Sequence, residues 1–145
     1  VEQYGIEDDF SADEKAYLEN DAPTEQQMIN YLWQYENQGV MLWALGLMDE
    51  LPFPDSIVDV PLVGERVRQF ESIEAMVAGS TPKTPAEILD ADDLIYRLDW
   101  ACVEARINNE EAPGGLDSGV VMERHKSLNW LIRHGEDWDE IDTST

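Results

Sequence analysis

Four side chains have the types needed for acid–base work should they meet: Glu36, Asp99, Arg124 and His125. Carboxylates beside an imidazole and a guanidinium supply groups whose proton affinity a cleft can tune, which general acid–base catalysis requires. Glu36, Asp99 and Arg124, joined by Asp93 and Arg97, serve equally well as struts. An unpaired charge in a core is costly, so inward charges are driven into pairs that fix how helices register. The strut reading leads, and the four residues are catalytic candidates only if the chain is an enzyme.

Helical spacing at ~100° per residue is what turns these charges inward. On one helix, Ile29, Leu32, Val40, Trp43 and Leu47 share an apolar arc with Glu36 in its middle. On another, Val120, Val121, Leu128, Leu131 and Ile132 share an arc that contains Arg124, with His125 on its edge. A third, "DADDLIYRLDWACVEARI", carries one polar stripe of Asp93, Arg97 and Glu104 and a second of Asp92, Asp99 and Arg106. Apolar residues flank both stripes, the pattern of a helix touched by neighbours all round. The simplest closure joins Glu36 and Arg124 with Asp99, Arg97 or both, and Asp93 with Arg97 also makes an i,i+4 pair. Arg124 is thus predicted to meet a carboxylate from another helix.

Other chemistries find less support. Metal sites in helical bundles use Glu-x-x-His spacing; Glu123 and His125 are two apart and point about 200° from each other. The "DADD" run lacks the Gly and closing Glu of a calcium loop, and His134 suits a helix end. Cys102, on an apolar face among acids, is the reverse of an activated nucleophile. No Gly-rich phosphate loop or nucleophile elbow occurs. No metal and no cofactor is expected. The five tryptophans read as packing, with Trp33 and Trp130 as candidate partner contacts because they fall away from the centres of their arcs.

The elements that must position these residues are helices. Ser11 with Glu14, Thr24 with Gln27 and Thr84 with Glu87 have capping-box spacing, and Pro85 suits a first turn. The spacing predicts a short helix after Ser11, a long one from about 24 to 48 stopped by "ELPFP", a short one at 72–78, the 86–107 helix, and a last one ended by Gly135. Residues 55–71 read as a loop or edge because of Pro61. The expectation is an all-α, single helical domain over 1–145, with about five helices around a central helix at 86–107. Both acidic ends, 1–10 and 136–145, are expected to fray unless Trp138 anchors the second.

Charge narrows the partners. The chain has 145 residues, with 32 acidic against 9 basic side chains and a net charge of −23. Such a balance repels nucleic acid and disfavours anionic membranes. It suits solubility, salt adaptation, or a basic protein found by electrostatic steering. A single cysteine in an apolar stretch fits a reducing, cytoplasmic setting, and no stretch reaches the length of a membrane span.

Three blocks, "WQYENQGVMLWALGLMDELPFPDSIVDV", "EILDADDLIYRLDWACVEARI" and "GVVMERHKSLNWLI…DWDEIDT", occur in this order. With them the chain resembles the domain-of-unknown-function family 4272, small proteins mostly of bacteria, over roughly 10–143. The family pattern includes Trp33, Glu36, Trp43, Asp93, Arg97 and Trp100, and further along Glu123, Arg124, His125, Asn129, Trp130 and Trp138. The resemblance implies that the charged network is a shared feature, and that a further N-terminal segment often precedes this region. It implies no activity, cofactor or catalytic residue. The function expected is a non-enzymatic acidic interaction module, immunity-like, that neutralises a basic partner; the alternative is an enzyme or small-ligand binder built on the Glu/Asp/Arg/His cluster. The discriminating features are a shallow apolar patch amid exposed acids for the first, and an open pocket reaching the cluster for the second. The oligomeric state is left open.

Overall fold

A computed structural model describes residues 5, 6, 8–133 and 137–145. Among them are α-helices and short 3-10 turns and no strand: α1 (Ala12–Leu18), α2 (Glu25–Leu32), α3 (Gln34–Ala44), α4 (Val60–Arg68), α5 (Ile73–Gly79), α6 (Pro85–Ile107) and α7 (Ser118–Ile132). The all-α expectation holds, and all three capping boxes are formed by the residues that signalled them. None of the described helices is long and apolar enough to cross a membrane.

Two elements differ from expectation. The long helix from 24 to 48 is two helices that meet at Trp33, where the ladder tightens to Glu36 N–H on the Trp33 carbonyl at 3.0 Å. The bend lays the Trp33 ring on α7 at Gly119, where even a Cβ would stand 2.8 Å from the ring. Ile29 and Leu32 therefore leave the arc assigned to them and are exposed. Residues 60–68 form a helix and not a loop or edge. Asp59 caps it through the Leu62 N–H, and Pro61 occupies the first turn, where a missing N–H costs nothing.

The core lies between α3, α6 and α7, where Val40, Trp43, Ile95, Cys102, Val121 and Leu128 pack together. A second, smaller cluster of Leu42, Val58 and Val63 joins α4 to the other side of α3. The chain turns at Gly46, φ +71°, so that the strap after α5 can run beside the end of α3: Thr81 N–H reaches the Leu45 carbonyl and Lys83 N–H the Ala44 carbonyl. Residues 137–145 meet α7. Trp138 meets the edge of Trp130 with ring centres 5.8 Å apart, Lys126 Nζ lies 4.6 Å over Trp138, and Asn129 donates to the Asp142 carbonyl at 2.8 Å. The expected stop at Gly135 and the His134 cap lie outside the described residues, as does part of the 1–10 end.

Candidate functional site

The inward charges form two pairs and not one network. Arg124 Nε donates to Glu36 Oε2 at 3.1 Å, α7 to α3, with both side chains almost wholly buried. This is the cross-helix carboxylate that the arc of α7 required. Glu36 Oε1 accepts from the Val58 backbone N–H, and Arg124 Nη1 donates to the Pro52 carbonyl at 2.5 Å. One ion pair thus ties together α3, α7 and both the middle and the far end of the connection that follows α3. Asp99 goes elsewhere: its Oδ2 lies 2.7 Å from His125 Nδ1, a buried α6–α7 pair with the edge of Tyr96 against the imidazole.

Asp93 and Arg97 are not part of this interior. They make a two-pronged bond to each other, at 2.8 and 3.0 Å, with both side chains more than half exposed. The pairing holds the Asp93 carboxyl below its ordinary pKa and the guanidinium above its own. The reason is geometric: relative to the buried Ile95 and Cys102, both residues point outward. Asp92 is half-buried with Oδ1 lacking a partner, and burial pushes its pKa up, offset in part by His125 and Arg133.

A polar contact that the sequence reading missed lies one residue from Glu36. Asn37 accepts from Ser127 Oγ at 2.6 Å and donates to Gln34 Oε1 at 3.0 Å and Glu123 Oε2 at 3.1 Å. Its signal was available: Ser127 follows Arg124 by three residues, so the two share a face.

The pairs are buried but not sealed. Arg124 lines a chamber of about 620 Å³ between α6 and the 49–54 connection. Glu36 lines one of about 250 Å³ beside Ile57 and Val58, and Asp99 one of about 360 Å³ closed partly by Asp142–Thr145. Among the described residues no third charged or nucleophilic side chain is hydrogen-bonded to either pair, so the geometry is that of struts with open faces. Among the described residues no three His, Cys, Asp or Glu side chains gather around a point that a metal could occupy.

Trp33 is half-buried against α7, and Trp130 is 39% exposed with the edge of Trp138 against it. Trp100, assigned to packing, is 53% exposed. It lies on the outer face of α6 with Leu89 (54%), Tyr96 (45%) and Ile107 (67%), and the half-buried Val103 completes the stripe. Leu89, Trp100 and Ile107 stand open on this face, while Tyr96 also meets the His125 ring of α7; α6 is the longest of the described elements and its inner face carries much of the core. The spacing 89, 96, 103 and 100, 107 is a seven-residue repeat, which was the signal available. Exposed Asp90, Asp93 and Glu104 border it.

The model of the family described as Domain of unknown function (DUF4272) matches residues 1–141. No curated protein and no solved structure matches the chain.

Proposed function

The chain belongs to the DUF4272 family, and from that premise, which carries no activity, we propose a non-enzymatic binding module that takes a basic, amphipathic helix of a partner protein on the outer face of α6. The observation that carries this is the stripe of Leu89, Tyr96, Trp100 and Ile107, open to solvent and bordered by acids. An apolar stripe at seven-residue spacing is the shape that a second helix covers. Its border selects the occupant: Asp90, Asp93 and Glu104 call for lysine or arginine beside the partner's apolar residues, Arg97 is already committed to Asp93, and Arg106 stands on the opposite flank beside Val103. The net −23 draws such a partner in and opposes a second copy of the chain, which brings the same charge. A reducing cytoplasm is the setting we assign, since the thiol of Cys102 is free and buried.

The test is capture from lysate of the source cell by the tagged chain, by its Trp100→Glu variant and by a Trp33→Phe control, with elution in salt steps. The reading expects a stoichiometric basic protein that leaves at moderate salt, is retained by Trp33→Phe and is lost with Trp100→Glu. Retention indifferent to Trp100→Glu, or an empty column, refutes it. A dimer in size-exclusion chromatography that Trp100→Glu dissolves would give the stripe to a second copy instead.

A further inference from the structure

The chamber over Arg124 lies on another side of α6 from the exposed stripe and has the make-up of a small-molecule site. Its volume, about 620 Å³, falls within the range of ligand pockets, roughly 300–1,000 Å³. Trp43, Leu98, Leu128 and Phe53 supply apolar wall, and Asp49 and Glu50 stand among its lining residues. Arg124 is the one cationic group there and is 97% buried, being 3% exposed. A guanidinium has five N–H bonds. Here Nε is used on Glu36 and Nη1 on the Pro52 carbonyl, and among the described residues no acceptor takes the rest. The remaining N–H bonds of a side chain that lines the chamber are free to take a ligand acceptor.

Charge decides what kind of acceptor. Glu36 already balances Arg124 at 3.1 Å, so the pair is neutral as a unit. Asp49 and Glu50, against the single ammonium of Lys83 that lies over Trp43 and bonds the Asp49 carbonyl at 3.4 Å, leave the chamber's surroundings net negative, which disfavours an anion. A cation finds only donors at the inner end, because both oxygens of Glu36 are already taken by Arg124 Nε and the Val58 N–H. What remains is an uncharged oxygen.

We propose that this chamber binds a neutral, apolar small molecule bearing a carbonyl, such as a ketone, ester or amide, with the carbonyl oxygen on the unspent N–H bonds of Arg124 and the body against Trp43, Leu98 and Leu128. The proposal is independent of the partner-binding reading, because it uses none of the stripe residues.

The probe is 6-propionyl-2-(dimethylamino)naphthalene, a neutral aryl ketone whose emission moves to the blue in apolar surroundings, titrated into the full chain. Anilinonaphthalene sulfonate is the anionic counter-probe. The expected result is saturable, blue-shifted binding of the ketone that is at least about tenfold tighter than that of the sulfonate. Ala91→Trp fills the chamber without touching the Glu36–Arg124 pair and weakens the ketone by about tenfold or more. Trp100→Glu leaves it unchanged. Glu36→Gln uncovers the charge of Arg124 and reverses the preference toward the sulfonate; should that variant not fold, Ala91→Trp decides. Absence of saturation by about 100 μM ketone overturns the proposal. So does binding that survives Ala91→Trp, that is lost in Trp100→Glu, or that is matched by the sulfonate.

Discussion

Arg124 is the residue on which most of the interior depends, because its guanidinium has exchanged water for one carboxylate and one carbonyl. Breaking such a pair from one side strands the other charge, whereas removing both sides does not. Arg124→Met is therefore expected to cost about 3–5 kcal/mol in urea unfolding, and Glu36→Gln with Arg124→Met together distinctly less than the sum of the two single changes. Asp92 works in the opposite sense. Its folded pKa is raised by burial, so the folded state holds a proton that the unfolded state has released. Stability from this group thus falls as pH rises from the unfolded carboxylate pKa through the folded one, and Asp92→Asn removes the loss. The variant should melt above the wild type near about pH 7 and the gap should close toward about pH 3, read by circular dichroism melts. Arg124 with Glu36 was legible in the sequence because each sat mid-arc on its own helix. The split that gives Asp99 to His125 and leaves Arg97 outside was not, since helical angles rank residues on one helix and say nothing of how two helices are rotated against each other.

At the scale of elements, starts were legible and breaks were not. Ser11, Thr24 and Thr84 announce α1, α2 and α6 through side-chain chemistry that is complete within four residues. The bend at Trp33 has no such local cause: it answers to Gly119, some 86 positions on, which makes room for an indole on α7. Pro61 misled for the opposite reason. Proline ends a helix from its interior but is welcome in its first turn, and Asp59 two residues earlier was the cap that tells the cases apart. The turn after α3 is the most exacting element junction. Gly46 sits at positive φ with the Thr81 carbonyl against the place of its missing Cβ. Gly46→Ala must strain the turn and push away the strap that bonds to Leu45 and Ala44. A loss of about 2–4 kcal/mol in chemical denaturation is expected, larger than for an alanine placed at an ordinary surface site.

For the whole molecule, charge and class were legible and the open face was not. Composition fixes the sign of the surface, and periodicity fixes which residues share a side; neither tells whether a neighbour arrives to cover that side. The outward stripe of α6 looked like the second buried face of a central helix for that reason. The division of the core has a consequence in time as well as in space. The cluster of Leu42, Val58 and Val63 reaches the main core by way of α3 and of Met48, which packs against both, and α4 contributes one fully buried side chain to it while α5 contributes none. Such a lobe opens at a lower free energy than the body that carries it. In native-state hydrogen exchange the amides of α4 and α5 should lose their protection together and early, while those of the α6–α7 pair persist until the chain unfolds as a whole. The molecule then breathes on one flank, with α3 as its hinge post and the Glu36–Arg124 clasp marking where the motion stops.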